Sequence, residues 1–166
     1  MRKTLWKVGL TTAAVVLLSS SSAYAQLATQ TIQANAVVGA RGRITLTGAI
    51  NFADADPLLS PTIDAAPLTV QALARVAVGA GVSLTVQAGG NFISGTDSIA
   101  IDNLTWATAG AGFTATGTMS SATAQPVGSW TGPGAHNGTQ TYTLANDWAY
   151  APGNYVVTLT YTLTSP

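Results

Sequence analysis

Cysteine and glutamate are absent from the 166 residues, and histidine occurs once. Without a thiol the chain forms no disulfide framework, no thiolate nucleophile or metal site, and carries no lipid on an N-terminal cysteine. A single histidine, His136, excludes a zinc or copper centre built from several such ligands within one chain. Charge is almost as scarce. Arg2, Lys3 and Lys7 fall in the first seven residues, leaving Arg41, Arg43 and Arg75 as the only later cations. Against them stand Asp54, Asp56, Asp64, Asp97, Asp102 and Asp147, so the chain beyond residue 25 has a net charge of −3. A phosphate-binding basic surface is excluded, and nucleic acid with it. A P-loop needs a lysine that this region lacks, and no G-x-S-x-G or complete dinucleotide fingerprint occurs.

What is present begins with an address. The first seven residues are basic, residues 8–18 are apolar, and Ala23, Tyr24 and Ala25 form a small-x-small cleavage signal before Gln26. That apolar run has 11 residues, about half of the roughly 20 that span a bilayer. The expectation is a signal peptide over residues 1–25 and a mature chain of residues 26–166, secreted by the general route. Its destination is extracellular, the cell surface or the periplasm, with no membrane insertion of the mature chain.

Beyond residue 26, apolar residues alternate with Thr, Ser, Gln and Asn in short runs bounded by Gly, Pro, Asn and Asp, the period of half-buried strands. The last run is the clearest: Tyr155, Val157, Leu159, Tyr161 and Leu163 on one face, Val156 and four threonines on the other. Ile44, Leu46, Ile50 and Phe52 read as an early strand interrupted at Gly48. Val70 to Val78 and Val82 to Val86 read as a hairpin joined through Gly79 and Gly81. Ile99 and Ile101 have opposite parity to Leu104 and Trp106, which predicts a β-bulge near Asp102 and Asn103. Phe113 and Met119 mark a further strand. Residues 131–138, with His136 at the tip, read as a loop. Residues 54–67, with three prolines, read as a crossing between sheets or as a linker. The fold expected is all-β: a single antiparallel, immunoglobulin-like or pilin-like β-sandwich over residues 41–166, preceded by an extension or strand over residues 26–40.

Candidate chemistry is sparse. Asp54 and Asp56, with Asp64, are calcium candidates, but Asp56-Pro57 is equally an ordinary turn opening. Trp130, Trp148 and Tyr150 are candidate ligand aromatics that could stack on a surface glycan; the competing role is core filling. No catalytic residue and no cofactor are assigned. Only nine of the 141 residues after the signal are charged and none is lysine, the usual device for blunting strand edges. Close association with other copies is therefore tolerated. The residues assigned to assembly are Leu27, Ile32, Val37 and Val38 in the extension, with Tyr155, Val157, Leu159, Tyr161 and Leu163 in the last strand.

The C-terminal run from Trp148 to Pro166, with Gly153, Tyr155, Thr158 and Tyr161 in a G-x-Y-x-x-T-x-x-Y pattern, resembles the final hairpin of secreted bacterial β-sandwich surface proteins. It is similar to endings of fimbrial-subunit and spore-coat-U-like domains. The fit covers the last 20 residues, with the rest of the chain alike in style. Gram-positive WxL surface proteins end similarly, but no tryptophan here is followed two residues on by leucine, so their peptidoglycan binding is not carried over. The chain also lacks the cysteine pair and the cleanly alternating donor strand common in fimbrial subunits. The resemblance implies a bacterial, non-enzymatic structural protein of the cell surface, a subunit of a fimbrium, filament or matrix with copies of itself as partner. The alternative expectation is a monomeric, carbohydrate-binding protein of adhesion.

Overall fold

The structure is a computed structural model that describes residues 30–114 and 116–166; the signal-peptide assignment and Leu27 lie outside these residues. Two compact units divide the chain, Met1–Ala36 and Val37–Pro166. In the first, residues 30–36 are exposed and belong to no strand. Among its described residues the second holds eleven strands: β1 (Arg41–Thr47), β2 (Thr62–Asp64), β3 (Leu68–Arg75), β4 (Gly81–Ala88), β5 (Phe92–Ser94), β6 (Asp97–Ile99), β7 (Leu104–Ala109), β8 (Thr116–Thr118), β9 (Gln125–Thr131), β10 (Gly134–Ala145) and β11 (Leu159–Thr164).

Every pairing is antiparallel. A six-stranded sheet runs β1-β3-β10-β7-β8, with β2 also on β10; a three-stranded sheet runs β11-β4-β9; β5 and β6 form a small hairpin. The period-2 pattern is what makes this a sandwich. Leu68, Val70 and Ala72 of β3, Tyr142 and Leu144 of β10, and Leu104 and Trp106 of β7 bury one face of the large sheet. Val82, Leu84 and Val86 of β4 and Val127 of β9 bury the facing side of the small one. Leu159, Tyr161 and Leu163 of β11 pack on the same core. The all-β antiparallel sandwich expected from alternation is therefore the fold.

Connectivity departs from the sequence reading in several places. β3 and β4 are not a hairpin: the turn through Gly79 (φ +85°) carries the chain from one sheet to the other. β9 and β10 are likewise in different sheets, and their connection is only Gly132 and Pro133, so the expected long loop is mostly strand. Residues 54–67 do not cross between sheets; β2 returns to the sheet that holds β1. β1 ends at Thr47, and Ile50 and Phe52 lie beyond it, because Gly48 at φ +122° turns the backbone out of extended geometry. The parity change before Leu104 is made by a 3₁₀ turn, Ile101–Asn103, rather than a bulge. A bulge exists elsewhere: Leu84 pairs with Gly128 and Thr85 with Pro126, leaving Val127 extra on β9 and both Val127 and Gly128 buried.

The two sides of the sandwich are unlike. On one, Thr114 N–H donates to Val127 O at 2.7 Å and Ser129 N–H to Gly112 O at 2.9 Å, so the segment leading into β8 stitches the large sheet to β9. On the other, β1 and β11 are each the last strand of their sheet.

Candidate functional site

Strand register sets two poles. Arg41 stands opposite Arg75, with Arg43 two residues further along β1, beside the β3–β4 and β9–β10 turns. Gly132 N–H donates to Ala80 O (2.7 Å) to tie those turns together. The arginines of the described residues thus share one end. The aspartates occupy the other half. Asp64 pairs with Thr143 near the end of β10, and Asp147 follows that strand. Asp102 lies two residues before β7, whose start pairs with Leu144. Asp54 and Asp56 sit in the loop that Asn146 grips. Asp97 is on the β5–β6 hairpin, which bridges to Val156 ahead of β11.

At the arginine pole a groove of about 230 Å³ opens between the edges of β1 and β11, lined by Ala40, Arg41, Gly42, Val76, Val82 and Leu163 among others. That is below the 300–1,000 Å³ of ordinary small-molecule clefts and suits one or two apolar side chains.

At the acidic pole two tight turns meet. The Asp56 carboxylate accepts from Leu58 N–H at 2.8 Å, and Leu59 N–H and Ser60 N–H donate to Asp56 O. Asp147 Oδ1 accepts from Ala149 N–H at 2.9 Å. Asn146 braces the pair: Nδ2 donates to Ala55 O (3.0 Å) and Ser60 O (2.9 Å), and its N–H to Pro61 O (2.9 Å). The result is a tip that holds Leu58, Leu59 and Trp148 outward, 81%, 80% and 72% exposed. Leu58 and Leu59 were not singled out by sequence reasoning; two adjacent leucines after Asp-Pro, outside any alternation, are the signal that could have found them.

The calcium candidates are not brought together. Asp56 caps its turn, Asp64 accepts from Thr143 Oγ1 at 2.5 Å, and no group of three metal-capable side chains forms among the described residues. The ligand aromatics separate. Trp148 is exposed, whereas Trp130 packs on the core, donates from Nε1 to Ala111 O at 2.9 Å, and stacks on His136 with ring centroids 4.4 Å apart and planes at 13°. Tyr150 also packs on the core; burial and the nearby Asp147 and Asp102 charges raise its pKa. His136 is not at a loop tip: it lies in β10, with Nε2 buried and unpartnered. The two apolar faces assigned to assembly differ as well. Ile32, Val37 and Val38 are exposed, by 96%, 99% and 69%. Tyr155, Val157, Leu159, Tyr161 and Leu163 pack against the chain's own core, so β11 offers its edge, not that face.

Deep between the sheets, Tyr142 OH donates to Tyr161 OH (2.7 Å), which donates to Gln140 Oε1 (2.6 Å). Burial raises both phenols, Tyr161 to about 12. This relay joins β10 to β11 and reaches no open cleft described above. No family model and no curated protein matches the chain.

Proposed function

We propose that this chain is a secreted, non-enzymatic structural protein of the cell surface whose copies assemble into a fibre or matrix. The observation that carries the reading is the terminal strand β11, which pairs on one edge only. β11 reads Leu-Thr-Tyr-Thr-Leu-Thr, an edge strand without a charge or proline, and it borders an apolar groove. Edges of this kind are normally blunted, because their free N–H and C=O groups template pairing with another chain. The extension before β1 adds exposed Ile32, Val37 and Val38, apolar side chains available to a neighbouring subunit by strand addition. The packing of the single histidine against Trp130 supports the non-enzymatic part of the reading, and the basic-apolar leader supports secretion. The test is negative-stain electron microscopy of material secreted by the native cells, with mass spectrometry to locate peptides of residues 26–166. Filaments containing the chain are the expected result; an exclusively soluble monomer refutes it.

Exposed Trp148 favours one second reading, a carbohydrate-binding adhesin in which that indole stacks on a sugar. Glycan-dependent quenching of its fluorescence in a monomeric protein is the result that would select it.

A further inference from the structure

The two poles are complementary in both charge and shape. One end carries the arginines of the described residues, with Arg41 on the rim of an apolar groove; the other projects Leu58, Leu59 and Trp148 from among Asp54, Asp56 and Asp147. Resting on the assembly reading above, we propose that copies join pole to pole: Leu58 and Leu59 at the tip of one copy, flanked by Trp148, seat in the Arg41-rimmed groove of the next.

The occupant is a second copy because the charges fit one. An anionic tip is repelled by anionic lipid and is attracted to the end where the arginines of the described residues gather. The contact is heterologous, using different surfaces on the two partners, and such contacts propagate into open filaments unless the rotation closes a ring. The tip is also prepared for docking. The Asp56 and Asp147 turns and the Asn146 brace fix both loops before contact, so little loop ordering opposes association. The groove accommodates one or two side chains, and the tip offers adjacent leucines to fill it. Gly42 lets β1 and β11 approach at the groove wall: a Cβ there would lie 3.3 Å from Leu163 Cδ2.

The experiment is sedimentation velocity with electron microscopy on the secreted chain and four variants. Leu58→Ser with Leu59→Ser changes exposed side chains only and is expected to raise the concentration needed for polymers at least about tenfold, since each buried leucine is worth that order. Asp54→Arg and Arg41→Asp, neither of which makes a side-chain hydrogen bond in the turns or strands described, are each expected to weaken assembly, and the chain carrying both to recover it. Recovery by the double charge reversal is a result that a merely misfolded variant cannot give. Polymers unchanged in all four overturn the pole-to-pole contact while leaving self-assembly intact through the extension. No polymer from the unaltered chain at any concentration overturns the assembly reading itself. Leucine-dependent binding to anionic vesicles by a chain that stays monomeric replaces the second copy with a membrane and refutes the proposal.

Discussion

Replacing Tyr161 by Phe removes one oxygen and strands two groups. Tyr161 OH accepts from Tyr142 at 2.7 Å and donates to Gln140 Oε1 at 2.6 Å, and both Tyr142 and Gln140 are fully buried. Each buried polar atom left unpaired costs about 1–3 kcal/mol, so Tyr161→Phe is expected to destabilise by roughly 2–6 kcal/mol. Tyr142→Phe removes the outer donor only. Tyr161 keeps its bond to Gln140, and the loss is that of one neutral hydrogen bond, about 0.5–1.5 kcal/mol. Gln140 Nε2 is already unpartnered, so exchanging all three residues for apolar ones of similar shape should cost less than Tyr161→Phe alone. Equilibrium unfolding in guanidinium chloride measures these differences through the midpoint at constant slope. Equal losses for the two single variants, or a Tyr161→Phe protein within about 0.5 kcal/mol of the parent, a typical surface-substitution effect, would refute the relay.

The same pair gives an alkaline limit. Tyr161 titrates at about 12 in the fold and near 10 when unfolded. A raised folded pKa means that its contribution is complete below about pH 10 and is lost as pH climbs toward 12, amounting to roughly 2–3 kcal/mol; the unfolding midpoint should be flat up to pH 9 and fall beyond 10. Gly117→Ala should destabilise by about 1–3 kcal/mol, the usual cost of overpacking, since its new methyl would fall on the Trp106 ring; thermal melting tests this. Of the tryptophans in residues 26–166, Trp148 is the one largely exposed, so in a chain of residues 26–166 Trp148→Phe should abolish most of the iodide-quenchable fluorescence of the folded state and leave its melting temperature within a few degrees.

Strand faces were legible because alternation is a local property. Tyr155 to Leu163 kept the parity read from the sequence although only the part from Leu159 pairs as a strand. Sheet membership was not local. The turn through Gly79 has the same chemistry whether its flanking strands pair or part, and only inter-sheet packing decides. Gly134 and Gly138 made the start of β10 look like a loop and misplaced His136. In the fold Gly138 is a strand glycine whose missing side chain admits Phe113. The aromatics were ambiguous for a related reason: Trp130 and Trp148 differ in what covers them, Ala111 O and His136 for one and nothing comparable for the other. The charge poles depend on register, which brings Arg41 opposite Arg75 across 34 positions of sequence.

Self-association of residues 26–166 is the central claim, and sedimentation velocity over a range of concentrations tests it most directly. The account predicts fast-sedimenting species that grow with concentration. A single monomeric boundary at every concentration would contradict it.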